Sequence, residues 1–171
     1  MVPYETTLTM LPFRGLFKIT ERWGQDYPAE LLKNPKFAFL NRYPYNGKVR
    51  GMGWPMPDET PIHPMAPGKV TFSGRDSQGS LSVVVDHGDG YTSLYGHLQY
   101  SNYPVGARVN CLNILAGSGH SGACSGPMLY VRVKKDGKLV DPQILIDRRC
   151  EVPAPAKPKA KCPKCGFEFE I

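Results

Sequence analysis

Asp86-His87-Gly88-Asp89-Gly90-Tyr91-Thr92-Ser93-Leu94-Tyr95-Gly96-His97-Leu98 is the stretch whose reading decides the fold. Upstream of it, Ser80-Leu81-Ser82-Val83-Val84-Val85 is rich in β-branched residues and reads as a strand. Gly88-Asp89-Gly90 is a hairpin turn, because those residues reach the positive φ values that tight turns need. Tyr91 to Leu98 then reads as the returning strand.

Outward from this hairpin the pattern repeats. Gly68 to Ser73 and Pro127 to Lys134 read as strands, and Asp136-Gly137 turns the second one. Val109 to Ala116 reads as another strand, and Leu16 to Thr20 as an earlier one. Pro28 to Lys33 predicts a short helix ended by Asn34-Pro35, with loop to residue 47. The 18 glycines and 17 prolines of this 171-residue chain suit short strands and tight turns. The sequence therefore predicts a mainly β protein built on a compact antiparallel β domain.

The expected organisation is an N-terminal arm over 1–14 and a β domain over 15–147. A Pro/Ala/Lys linker over 148–161 leads to a terminal segment over 162–171. The net charge of +6 is scattered among acidic residues. It favours anionic partners, cell-wall polymers or nucleic acid, but no aromatic-basic recognition motif singles out nucleic acid. No secretory leader and no membrane span is visible, so the sequence predicts no membrane partner.

The hairpin resembles that of the lysostaphin/LytM family of zinc metallopeptidases, which has Tyr-Ala-His-Leu where this chain has Tyr95-Gly96-His97-Leu98. Gly117 to Val133 resembles that family's glycine-rich turn, its Gly-Pro-His-Leu-His and the strand that follows. Thr60-Pro61, Gly68-Lys69-Val70, Val105 to Val109, Val140-Asp141-Pro142 and Ile19 to Gly24 match weaker pieces in the same order. The resemblance implies the lysostaphin-type fold (a duplicated hybrid motif) over about residues 15–147 and, for an intact member, a peptidoglycan endopeptidase.

In that family zinc is held by His-x-x-x-Asp and by the second His of His-x-His. Three ligands and an open position let the metal activate water. The resemblance places the first pair on Val49 and Gly53, and His-x-His on Met128-Leu129-Tyr130. His97 is retained at the position of the family's auxiliary histidine. The stretch from Tyr43 to Met56 contains no His, Asp, Glu or Cys. The expectation is a degenerate member: no catalytic residues, no cofactor in the central groove, and a structural or binding role. Its implied partners are peptidoglycan or other particle proteins, reached through the C-terminal tail, in a bacteriophage tail tip or baseplate. The alternative is an active metalloendopeptidase with an atypical metal site recruiting Cys124 or His120 beside His97.

Five cysteines are present. Cys162-Pro163-Lys164-Cys165-Gly166 is half of a zinc knuckle, with Cys150 as candidate third ligand. A structural zinc or a disulfide there is the expectation.

Overall fold

A computed structural model describes residues 11–147 and the backbone of 159–161 and 168–170. The first helix, α1 (Ala29–Lys33), follows Pro28 as expected and ends at Asn34. Residues 35–41, expected as loop, form a 3-10 helix instead. Pro35 enters it, and the Asn34 side chain accepts from the Lys36 N–H at 3.0 Å.

Ten strands follow: β1 (Met52–Pro55), β2 (Pro61–Ile62), β3 (Gly68–Arg75), β4 (Leu81–Gly88), β5 (Tyr91–Gly96), β6 (Leu98–Ser101), β7 (Arg108–Val109), β8 (Ala116–Ser118), β9 (Met128–Lys135) and β10 (Lys138–Val140). A short helix, α2 (Gln143–Ile146), comes next. Every pairing is antiparallel. The main sheet runs β1-β9-β5-β4-β3-β7, with β10 also on β9. A smaller sheet runs β2-β8-β6. The mainly β expectation therefore holds, and the decisive hairpin is β4-β5, with Asp89 and Gly90 at positive φ (48° and 73°).

Three local expectations fail. Residues 16–20 form no strand; Phe17 and Ile19 pack on the core, and flanking bridges join Phe13 to Ile62 and Glu21 to Gly53. Phe13, at the end of the stretch read as an arm, is buried against Trp54 with ring centroids 5.3 Å apart. Val109 to Ala116 is not one strand. Asn110 accepts from the Leu112 N–H and Asn113 from the Asn110 N–H, so side-chain amides close a turn between β7 and β8.

The core lies between the two sheets. Ile62, Val70, Val83, Val85, Tyr95, Leu98, Leu115, Leu129 and Val131 are fully buried. Alternation along β4, β5 and β9 puts Val83, Val85, Tyr95, Leu129 and Val131 on one face. Tyr95 pins the layers together: its hydroxyl accepts from the Met65 N–H at 2.7 Å and lies 2.9 Å from Ser93 Oγ. Burial pushes its pKa up to about 12. Tyr95→Phe should cost about 1–3 kcal/mol, because it strands a buried N–H and a buried hydroxyl. Urea unfolding of the variant measures the loss.

No helix among the described residues is long and apolar enough to cross a membrane. Beyond the domain, β11 (Lys159–Lys161) pairs with β12 (Glu168–Glu170), so the end of the segment read as a linker is strand. Cys150, Cys162 and Cys165 lie outside the described residues. Cys111 is buried and disulfide-bonded, whereas Cys124 is a free thiol.

Candidate functional site

Two strands flank β9 where the site should be. Gly53 of β1 sits opposite Tyr130 on one side, and Gly96 of β5 sits opposite it on the other. His97 follows β5 with φ 62°, a left-handed residue that breaks β5 from β6 and swings its ring toward β9. His97 and Tyr130 rings lie 6.2 Å apart between centroids. Both line one cleft with Met128, as the order of the two matched stretches requires.

The cleft is partly open to solvent. Its outer wall is built from the 3-10 helix and the loop after it, including Phe39 and Tyr45, packed edge to face at 5.7 Å. The glycine-rich turn closes the other side, with Ala123, Cys124 and Ser125.

The three positions where the resemblance would place zinc ligands, Val49, Gly53 and Tyr130, come together with Met128. Val49, Met128 and Tyr130 form one buried apolar cluster, with Tyr27 and Cys124 packed against it. Gly53 offers no side chain, and the space beside it is filled. A Cβ added there would lie 2.9 Å from both Glu21 Oε2 and Met128 Cε. Glu21 is held over Gly53 by the backbone: Gly53 N–H donates to the Glu21 carbonyl at 3.0 Å. Sequence reading missed Glu21.

These donors do not suit zinc. Valine and glycine supply none, and a thioether is a poor match. Burial, with Tyr27 and Glu21 nearby, holds the Tyr130 phenol well above its ordinary pKa, so phenolate is disfavoured. Among the described residues no group of three or more His, Cys, Asp or Glu side chains could hold a metal ion.

His97 is neutral. Burial lowers its pKa, and its Nδ1 lies 2.8 Å from the Ser121 carbonyl, so Nδ1 carries the proton and Nε2 is a lone pair. Cys124 lines the same cleft, but burial raises its pKa and its thiol donates to the His120 carbonyl at 3.1 Å. It is not an activated nucleophile. His120 lies in a separate depression, bonded through Nδ1 to Asp58 at 3.0 Å. Of the two alternative recruits beside His97, Cys124 lines the cleft with it, and His120 lies in the adjoining depression that Cys124 also lines. His87 is structural, held between the Pro67 carbonyl and Ser93 Oγ.

Glu21 is the most perturbed carboxyl of the site. Burial alone pushes its pKa up to about 7. The Tyr130 hydroxyl is buried without a hydrogen-bond partner, although the Tyr27 phenol is near enough to influence its titration.

A lysostaphin-type β fold around this cleft defines a peptidase-like domain, and comparison with known proteins gives the family. The model of peptidase family M23 matches residues 47–142, and the chain belongs to that family. It is 34% identical over 113 residues to the murein hydrolase activator EnvC of Escherichia coli K12, covering 64% of this chain and 27% of that protein. It is 29% identical over 92 residues to the DD-carboxypeptidase/endopeptidase Mpg of Neisseria meningitidis, covering 54% of this chain and 21% of that protein. The chain thus spans about a quarter of the length of these relatives. Among solved structures, LytU superposes with a TM-score of 0.62 at 31% identity, covering 80% of this chain and 88% of that one. The catalytic domain of lysostaphin from Staphylococcus simulans superposes with a TM-score of 0.63 at 22% identity, covering 77% and 93%.

Proposed function

We propose that this chain is a non-catalytic binding module on the M23 fold, whose cleft docks peptidoglycan peptide without cleaving it. The observation that carries this reading is the apolar cluster of Val49, Met128 and Tyr130 at the position of a metal. A buried aliphatic and thioether surface stabilises packing there and offers a hydrolytic metal nothing to bind. The name of the EnvC relative, a murein hydrolase activator, is consistent with it. The cleft itself remains open and aromatic-walled, which suits binding of a peptide. The tail-tip or baseplate location is part of this proposal.

The test uses the whole chain and purified peptidoglycan sacculi. The protein should co-sediment with sacculi and release no peptide, with or without added zinc. Phe39→Ala with Tyr45→Ala, which strips the outer wall, should weaken sedimentation by about tenfold. Zinc-dependent release of peptide would overturn the reading and restore an active metalloendopeptidase.

A further inference from the structure

Most polar groups lining the cleft are already engaged within the protein. Asp76 accepts from the N–H groups of Gln78 and Ser80 at 2.9 and 3.0 Å. Arg132 donates to the Tyr45 hydroxyl at 2.6 Å, and its guanidinium lies 5.9 Å from the centroid of the same ring. Ser80 Oγ accepts from the His97 N–H at 2.9 Å.

Three groups are left over. The Glu21 carboxyl is perturbed by burial alone, with no cation or hydrogen bond acting on it. His97 uses Nδ1 on the Ser121 carbonyl, leaving Nε2 as a lone pair. The Tyr130 hydroxyl, on a residue only 8% exposed, has the Tyr27 phenol as its polar neighbour, toward which it can donate, and nothing donates to its oxygen. All three residues line the same cleft, from three different parts of the chain. A carboxylate without a counter-ion is the costly member, because burial disfavours an unpaired charge.

We propose that the cleft binds a primary ammonium group, with Glu21 as its counter-ion and the Tyr130 hydroxyl and His97 Nε2 as further acceptors. An ammonium carries one charge and three N–H donors, which answers this set of acceptors. The rings of Tyr27 and Tyr130 add to the attraction, since aromatic faces favour cations. A metal ion is a poorer occupant, because among the described residues no group of three or more His, Cys, Asp or Glu side chains could hold one. The inference rests on the cleft being a binding site, and it narrows the ligand to peptides that present a free amino group.

The probe is n-butylammonium chloride, with 1-butanol as the uncharged comparator. The full chain is titrated while the Met128 methyl signal is followed by NMR. Butylammonium should saturate the shift and bind about tenfold more tightly than butanol, the effect of one charged hydrogen bond. Glu21→Gln should lose that preference, and Tyr130→Phe should weaken butylammonium about fivefold. Equal binding of the two probes, undiminished binding by Glu21→Gln, or no saturable response by the unaltered protein would each overturn the proposal. Should Glu21→Gln fail to fold, the butanol comparison and Tyr130→Phe still decide. Sacculus binding without a butylammonium response removes the ammonium site and keeps the binding module. A butylammonium response without sacculus binding does the reverse.

Discussion

Glu21→Gln should leave stability unchanged below pH 4.5 and raise it by about 3 kcal/mol above pH 7. The carboxyl titrates near 7 in the folded protein and near 4.5 when solvated, and burial is the cause. Between those values the folded state holds a proton that the unfolded state has released. Stability therefore falls as pH rises from 4.5 through 7 and is level beyond. Below 4.5 both states are protonated, so a neutral amide changes nothing. Above 7 the unaltered protein carries an ionised carboxylate in a half-apolar cleft, and the amide does not. His97, in the same cleft, has its pKa lowered from the ordinary value by burial and contributes to the same window in both proteins, so the difference between them is what isolates Glu21. Tyr27 and Tyr130 are raised far above that window, chiefly by burial. Chemical unfolding of both proteins across this range measures the difference. A constant offset at all pH values would mean that shape, not charge, separates glutamate from glutamine.

A cost of this kind fits a binding group. A carboxylate that weakens the fold when empty and gains a counter-ion on loading is the trade between stability and function seen at many sites. It also separates Glu21 from the other replaced positions. Val49 and Met128 serve the folded state, since they pack. Glu21 serves the cleft.

Glu21 was hard to read from the sequence for a physical reason. The ligand positions of the resembled family lie just before and on β1 and on β9, and the chain around the first of them, from Tyr43 to Met56, carries no acidic residue. Glu21 reaches Gly53 through space, from an irregular segment with no strand periodicity. Nothing local marks it apart from other acidic residues. By contrast β3, β4, β5 and β9 were legible, because eight or so alternating or β-branched residues leave a signal that turns punctuate. The strand β1, Met-Gly-Trp-Pro, is four residues long with Gly and Pro in it, and its strand state comes from pairing with β9. The positions of Met128 and Tyr130 were legible because Gly126-Pro127 fixes the register. Which surface they would form was not, since that depends on Val49 and Tyr27 arriving from elsewhere.

The glycine-rich turn that helped to identify the family gives the last prediction, because its glycines are not equivalent. Gly122→Ala should destabilise the protein by about 2–4 kcal/mol, and Gly126→Ala by less than about 0.5 kcal/mol. Gly122 sits at φ +76°, where an alanine costs about 1 kcal/mol. Its Cβ would also lie 2.6 Å from the Ser80 nitrogen and 2.7 Å from Ser80 Cα, both backbone atoms that cannot step aside. Around Gly126 no atom lies within 4 Å of an added Cβ. Ser80 in turn receives the His97 N–H, and Ser121, next to Gly122, holds His97 Nδ1. Displacing the turn from Ser80 should therefore expose the imidazole to water, and relief of burial, the larger cause of its depression, should raise its pKa despite loss of the Ser121 bond. Thermal unfolding of the two variants, with the His97 ring titrated by NMR, reads both effects. If Gly122→Ala melts like Gly126→Ala and His97 titrates unchanged, the turn does not hold the site. The cleft would then owe its shape to β5 and β9 alone.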